Sequence, residues 1–324
     1  MNWKTTLFLI ALLAAATASP FAVSYYSVEI LILFMINLIL VCSYRILTTT
    51  GDWSLSHVVM MGVGAYTTAL LSKWWDLSIL LTVPLSACVA ALIGWLMVTP
   101  LIRTRGFGFF IASFALGEFV RLIWVKFRYP FGGPRGMIGI PSGELGSVDF
   151  FEPIPYFFFV LVVALICLLA MYRLDQSRIG KTFKAIYTDE ALAESVGIDV
   201  SRYRTLAFVT GTFFAGIAGA LLAHRLGAVD PKNFDVTTMV YLIIWIVVGG
   251  SSTFWGPIIG LTVMTFVFEW SRPLLEWRPL LFGGILIFFL VFMPGGLEDL
   301  LSKARARLAA MKRPSEQPPR SPAE

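Results

Sequence analysis

Long apolar runs recur along the whole chain and constrain its fold more than any other feature. A helix needs about 20 residues to cross the roughly 30 Å hydrocarbon layer of a bilayer. With 57% hydrophobic and only 14% charged side chains, the 324 residues cannot form a water-soluble globule with an ordinary surface. We therefore interpret the chain as a polytopic membrane protein. The clearest apolar runs are residues 30–42, 77–101, 155–172, 205–223 and 280–293.

The alternation of apolar runs and polar loops predicts an all-α membrane bundle of about ten transmembrane helices. Several runs are short and need tilt or glycine-interrupted neighbours to cross the layer. The predicted spans are residues 6–22, 29–44, 57–71, 77–99, 106–125, 154–172, 204–224, 237–250, 257–270 and 280–294.

The basic residues between the spans predict the orientation of the bundle. With a cytoplasmic N-terminus, sixteen Lys and Arg residues lie on the cytoplasmic side and eight on the other, as the positive-inside rule favours. Both termini and the loop 173–204 are then cytoplasmic. Residues 1–20 also have features of a cleaved signal peptide. Cleavage would move the loop 173–204 outside, so the charge distribution favours a retained first span.

The polar segments contain no soluble domain. We expect a transmembrane domain at residues 1–302 and a tail at residues 303–324, basic at first and then rich in proline. The longest external loop, residues 126–153, is dense in glycine and proline, which predicts an ordered but irregular cap. The net charge of +5 is spread between spans and indicates no nucleic-acid partner.

The charged segment 178–204 interrupts the apolar pattern between the sixth and seventh spans. Its first half predicts a helix whose apolar face can rest on the bundle. Thr188 or Asp189 can cap a second helix at residues 190–196, which Gly197 ends in a left-handed conformation before the apolar Ile198. Because an isolated helix of two turns is unstable in water, it must dock on this chain or on a soluble partner. The apolar face of the first helix consists of Ile179, Phe183, Ile186 and Tyr187.

A phosphate-binding loop in this segment is an alternative that its residues do not favour. Gly180, Lys181 and Thr182 match the end of the G-x-x-x-x-G-K-[ST] pattern, but Asp175 occupies the first glycine position. A carboxylate there would repel the phosphates. We expect no nucleotide site in this chain.

Two apolar stretches are interrupted by glycine and serine at corresponding places in the two halves of the chain. Paired breaks of this kind in transporters point to the translocation path, whereas single glycines also permit close helix packing. We expect the ridge of Gly211, Ala215 and Gly219 to serve packing. The candidate path residues are Ser54, Ser56, His57, Gly62, Gly64, Gly249, Gly250, Ser251, Trp255 and Gly256.

Few residues could perform chemistry. Glu118 and Arg121, three apart in the fifth span, are predicted to form a structural ion pair. His57 and His224 are expected to be hydrogen-bonded packing residues. The three cysteines, Cys42, Cys88 and Cys167, are expected to be small buried residues without a disulfide. The sequence indicates no catalytic group and no metal site, and therefore no enzyme.

Seven stretches, in order, resemble the LivM-type permease subunits of bacterial branched-chain amino-acid ABC importers over nearly the whole chain. They are GDWSLSHVVMMGVGAYTTALL (51–71), GFGFFIASFALGEFVRLIW (106–124), FGGPRGMIGIP (131–141), RIGKTFKAIYTDEALAESVGIDVSRYRTLAF (178–208), FFAGIAGALLAHRLG (213–227), VVGGSSTFWGPIIG (247–260) and PGGL (294–297).

The resemblance implies an ABC importer permease fold and an ATPase-coupling loop with the pattern E-A-A-x-x-x-G. Here the pattern begins at Ala191 and departs from the family at Ala191 and Leu192. A short helix with small residues can sit deep in a cleft of an ATPase subunit. The residues that the resemblance assigns to coupling are Asp189, Glu190, Ala191, Leu192, Ala193, Glu194 and Gly197.

The resemblance also implies a heteromeric complex in the bacterial inner membrane. The partners are a homologous permease subunit, two cytoplasmic ATP-binding subunits that use the ATP, a periplasmic substrate-binding protein and membrane lipid. The substrate is a branched-chain or related amino acid. Departures at Asp52, Ser56, Pro134 and Arg135 leave open a permease for urea, amides or aromatic acids. A stand-alone secondary transporter is a further alternative, although the chain offers few groups for ion coupling.

Overall fold

The computed structural model describes residues 20, 24–145, 148–293, 295–300 and 303. These residues form the helical bundle that the sequence predicts. The helices are α1 (Tyr25–Thr48), α2 (His57–Trp75), α3 (Ile79–Leu101), α4 (Phe107–Lys126), α5 (Pro153–Gln176), α6 (Arg178–Thr188), α7 (Glu190–Ser195), α8 (Val200–Leu226), α9 (Val236–Gly249), α10 (Gly256–Trp270) and α11 (Arg278–Phe292). Short helical turns span Arg128–Phe131, Gly133–Arg135, Pro231–Phe234 and Arg272–Trp277.

Nine of these helices correspond to the second to tenth predicted spans, and the first predicted span lies almost wholly outside the described residues. By length and composition, α1, α3, α4, α5 and α8 can each cross a membrane. The helices α9, α10 and α11 are apolar but shorter. The chain is therefore a multi-pass membrane protein.

The helix α8 lies at the centre of the larger core and packs against α1, α2 and α3. Small residues allow this close approach, because a Cβ atom on Gly219 would collide with the carbonyl of Met61. Gly211 lies against the Ser43 carbonyl, and Ala215 is fully buried. The prediction that this glycine and alanine ridge serves packing is confirmed.

A smaller core joins α9, α10 and α11. Its buried members are Ile244, Val248, Met264 and Phe282. The backbones of α9 and α10 touch where Gly249 faces Gly256 and Gly260.

Contacts at the helix ends fall into two groups. In one group, Arg45 in the last turn of α1 contacts the segment between α9 and α10. In the other, Lys73 donates to the Ile138 carbonyl at 3.0 Å, and Arg225 pairs with Glu29.

The predicted external loop, residues 126–153, consists of short, irregular elements. It contains two helical turns and the strands β1 (Met137–Ile138), β2 (Glu144–Leu145) and β3 (Val148–Asp149). The strand β1 pairs antiparallel with β4 (Ala228–Val229), and β2 pairs with β3. Gly136 has φ 68°, and a Cβ atom there would strike the Val229 carbonyl, so the turn before β1 requires glycine.

The expected burial of Cys88 is wrong. Cys42 and Cys167 are buried, but Cys88 is exposed. Cys88 lies on an exposed apolar face of α3 together with Leu81 and Leu85. A thiol behaves as a small apolar group and fits such a face.

Candidate functional site

The helices α6 and α7 form a hairpin, and α7 begins and ends with the caps that the sequence predicts. The Ser177 hydroxyl accepts from the Gly180 amide at the start of α6, and Asp189 accepts from the Leu192 amide at the start of α7. Gly197 has φ 86°, and the Ile198 amide donates to the Ala193 carbonyl at 3.1 Å. The helix α7 ends at Ser195, one residue before the predicted end.

The inner side of the hairpin packs on this chain. Phe183 and Ile186 are buried, as predicted for the apolar face of α6. Ala193 is also buried and packs with Ile186 and Val200. The side chain of Ala193, which the resemblance assigns to coupling, is therefore part of the hairpin's own core.

The outer side of the hairpin exposes apolar side chains in a charged segment. Tyr187 is 65% exposed, Leu192 62% and Val196 70%. The expectation that Tyr187 rests on the bundle is wrong, and Ile179 is also partly exposed. We call the set of Tyr187, Ala191, Leu192 and Val196 the hairpin patch; Ala191 is exposed as well.

A buried ion pair fixes the base of the hairpin. The Arg45 guanidinium of α1 donates to Asp175 at the end of α5 at 2.9 Å, and both side chains are almost fully buried. Lys184 of α6 donates to the other oxygen of Asp175 at 3.0 Å. Asp175 therefore pairs with two cationic side chains at once, one from α1 and one from α6.

A second buried ion pair lies beside the first. Arg204 of α8 donates to both oxygens of Asp52, at 2.7 and 2.6 Å, and to the Thr104 carbonyl at 3.2 Å. Arg204 and Asp52 are only 5% and 6% exposed. Breaking such a pair by removing one partner typically costs about 3–5 kcal/mol. Sequence analysis did not predict the pairing of Arg204 with Asp52, because the two residues are 152 positions apart.

A third cluster of charges is largely exposed, with Glu190 partly buried. Arg105 approaches Glu190 at 3.3 Å and Glu194 at 3.4 Å. Exposed pairs of this kind contribute about 0–1 kcal/mol each. These pairs therefore contribute little to holding the hairpin on the rest of the chain.

The first helix break, residues 49–56, is mostly buried in the protein, although Gly51 is exposed. Its backbone amides find side-chain acceptors, because Ser54 N donates to the Tyr44 hydroxyl, Leu55 N to the Ser113 hydroxyl and Ser56 N to Ser54 Oγ. Non-helical backbone at membrane depth is tolerated when its polar groups are satisfied in this way. Ser54 and Ser56 thus lie in the interior of this chain.

The two histidines have the packing role that the sequence predicts. The Ser43 hydroxyl donates to the Leu40 carbonyl and accepts from His57 Nε2 at 2.8 Å. His224 Nδ1 lies 2.8 Å from the Pro141 carbonyl, and its Nε2 lies 2.9 Å from the Thr82 hydroxyl. Both rings are buried.

The candidate glycines of α2 lie at helix contacts. A Cβ atom on Gly64 would collide with the Gly216 backbone, and one on Gly62 would meet the side chains of Trp124 and Phe234. This geometry supports the packing interpretation of both glycines over the path interpretation.

The second break, residues 250–255, lies at the edge of the structure. Gly250 has φ 98°. Arg45 donates to the carbonyls of Ser251 and Ser252 at 3.2 and 3.4 Å, and Thr253 N donates to Glu298 at 3.0 Å. Arg45 therefore connects this break to the base of the hairpin.

The Glu118–Arg121 pair forms as predicted. Arg121 donates to both oxygens of Glu118, at 2.8 and 2.5 Å, within α4. In the part of the chain that the structure describes, no group of three or more His, Cys, Asp or Glu residues could hold a metal ion.

Comparison with known proteins places the chain in a family. At 30% identity it is similar to the high-affinity branched-chain amino acid transport system permease protein LivM of Salmonella typhimurium (strain LT2), with 91% of this chain and 75% of LivM covered. The corresponding LivH of Escherichia coli (strain K12) is 29% identical over 42% of this chain and 46% of its own length. The ribose import permease protein RbsC of Haemophilus influenzae is 25% identical over 66% of this chain and 64% of its own length.

No solved structure matches the chain significantly. The family model described as branched-chain amino acid transport system / permease component matches residues 26–292. The chain belongs to this family of transport permeases.

Proposed function

We propose that this chain is the permease subunit of an ABC importer in a bacterial inner membrane, and that it carries branched-chain or related amino acids. The family and the similarity to LivM support the substrate class. The weaker similarity to LivH, a second permease of a system with the same name, supports pairing with a homologous permease subunit.

The hairpin patch carries the coupling part of the proposal. The hairpin exposes Leu192 and Val196 in a charged segment and is anchored on this chain through Phe183 and Ala193. It is therefore suited to rigid-body contact with a soluble subunit. Large exposed apolar side chains rimmed by charge are typical of protein interfaces. We infer that the partners are two ATP-binding subunits, which hold and hydrolyse the ATP.

The orientation follows from the charge distribution. The loop 173–204 and both termini face the cytoplasm, and the loop 126–153 faces the periplasm, where a binding protein delivers the substrate. The transmembrane domain covers residues 1–302, with residues 303–324 as a cytoplasmic tail. Asp52 gives no reason to choose urea or amides as substrates, because its carboxylate is occupied by Arg204 at the hairpin end.

A substitution in the hairpin patch tests this function. Leu192→Arg adds charge to an exposed apolar contact and should weaken docking by about 1–3 kcal/mol, while Lys181→Ala on the exposed side of α6 serves as the control. The measurements are co-purification of the ATP-binding subunits and ATP hydrolysis stimulated by leucine-loaded binding protein.

We expect both signals to fall for Leu192→Arg and to stay at the wild-type level for Lys181→Ala. Full coupling of Leu192→Arg would contradict the docking role. Leucine uptake by this chain alone in liposomes, without any ATPase, would favour the secondary transporter instead.

A further inference from the structure

The helix α4 has two dissimilar faces. One face packs on α2, where Gly117 touches Ser56 and Val59, and Trp124 stacks on Tyr66. Ser113, Gly117 and Trp124 are the buried members of this face. It explains how α4 is held, but it accounts for only a small part of the helix surface.

The opposite face of α4 is left open by the described residues. Only 22% of its most apolar stretch is buried within the chain, against 67% for α1 and for α8. Ile111, Phe114 and Leu122 are exposed on this face, and Glu118 and Arg121 lie among them at helical spacing. Glu118 remains 27% exposed and Arg121 20% exposed, even though they are paired.

The depth of Glu118 makes a lipid-facing position costly. At a rise of 1.5 Å per residue, its Cα lies about 12 Å from the Lys126 end of α4 and about 16 Å from the Phe107 end. A carboxylate this far from either end is beyond the reach of the interface. Charged groups at such depth face a bundle interior or a water-filled cavity.

We propose that the Glu118–Arg121 pair borders the translocation path between this chain and its partner permease, and that it binds the transported amino acid as a zwitterion. The guanidinium of Arg121 takes the α-carboxylate, and the carboxylate of Glu118 takes the α-ammonium group. This inference rests on the proposed function, since it assumes that the complex imports amino acids.

The internal pair is suited to this exchange. In the empty path, Arg121 and Glu118 neutralise each other through two hydrogen bonds, so that neither charge is left unpaired. A zwitterion carries one charge of each sign. It can therefore replace the Glu118–Arg121 ion pair with two pairs, one between Arg121 and its carboxylate and one between Glu118 and its ammonium group. An uncharged amide offers no such compensation. A planar guanidinium also matches a carboxylate in a two-point contact.

A charge swap separates this role from a structural one. Glu118→Arg combined with Arg121→Glu keeps an i,i+3 ion pair but exchanges the positions of the two charges. The matched control is Glu269→Arg combined with Arg272→Glu, another i,i+3 pair, with 3.1 Å between Arg272 Nε and Glu269 Oε2. Each variant is reconstituted in liposomes with the partner permease, the ATP-binding subunits and leucine-loaded binding protein.

We expect the Glu118/Arg121 swap to assemble in normal amounts and to lower leucine uptake at least about tenfold, while the control stays within about twofold. Leucine uptake at the wild-type rate by the swapped variant would overturn the inference and leave a structural pair.

A second variant covers the case in which the swap does not assemble. Arg121→Lys keeps the charge and the pair but loses the two-point contact with a carboxylate, so it should assemble and still lose most leucine uptake. Wild-type uptake by Arg121→Lys would also overturn the inference. A wild-type complex that imports an uncharged amide and not leucine would overturn the proposed substrate class itself.

Discussion

The break before α2 lies inside the protein, whereas the break before α10 lies at its edge. In the first, Asp52, Ser54 and Ser56 are buried. In the second, Ser252, Thr253 and Trp255 are exposed. Both are glycine and serine segments between apolar helices. The sequence pattern predicts the same role, lining the translocation path, for both.

The two breaks also differ in what holds them. The first receives hydrogen-bond partners from three helices, through Tyr44 of α1, Ser113 of α4 and Arg204 of α8. The second is held by Arg45 and by Glu298, which follows α11. Since a movement of the first break would separate several buried pairs at once, we expect any conformational change to use the second.

The difference has a consequence for coupling. Arg45 contacts the second break and, through Asp175, reaches Lys184 of the hairpin. A displacement of the hairpin therefore has a physical connection to the less constrained break. We therefore expect the break before α2 to stay fixed while the break before α10 moves.

The largest expected effect tests the rigidity of the first break. Asp52→Ala leaves the buried Arg204 guanidinium without its carboxylate and should destabilise the protein by about 3–5 kcal/mol. The measurement is the thermal unfolding midpoint of the purified chain in detergent, together with the amount that assembles in membranes.

The matching control removes both charges. Asp52→Asn combined with Arg204→Met should recover part of the lost stability, because no buried charge is then unpaired. An unchanged unfolding midpoint for Asp52→Ala would show that the first break is no better anchored than the second.

A matched pair of hydrogen bonds gives the next largest effect. Ser113→Ala removes the acceptor of the Leu55 amide in the first break, and Glu298→Ala removes the acceptor of the Thr253 amide in the second. A buried amide without a partner costs about 1–3 kcal/mol. Water can replace Glu298 at the exposed Thr253 amide, so the second change should cost about 1 kcal/mol or less.

Denaturant or thermal unfolding of both variants under the same conditions measures this contrast. Equal losses for Ser113→Ala and Glu298→Ala would remove the distinction between a buried and a peripheral break.

The sequence predicts those parts of the structure that depend on neighbours along the chain. Apolar runs mark the helices, Asp189 and Gly197 mark the ends of α7, and the spacing of Glu118 and Arg121 predicts their pairing. Each of these features is decided within a few residues.

Contacts between distant segments could not be predicted in the same way. The Arg45–Asp175 and Asp52–Arg204 pairs join residues 130 and 152 positions apart. The charge pattern along the chain does not indicate which distant residues become partners. Likewise, the burial of Ala193 depends on Val200 and Ile186 closing over it, which a short motif does not reveal.

The smallest expected effect concerns the exposed charges beside the first break. Arg105 approaches Glu190 and Glu194 from the segment between α3 and α4, but its side chain is largely exposed. Arg105→Ala should therefore lower the free energy of unfolding by less than about 1 kcal/mol. Thermal unfolding of Arg105→Ala beside Asp52→Ala measures the difference. A loss as large as that of Asp52→Ala would mean that the exposed pairs, and not burial, hold the hairpin against the first break.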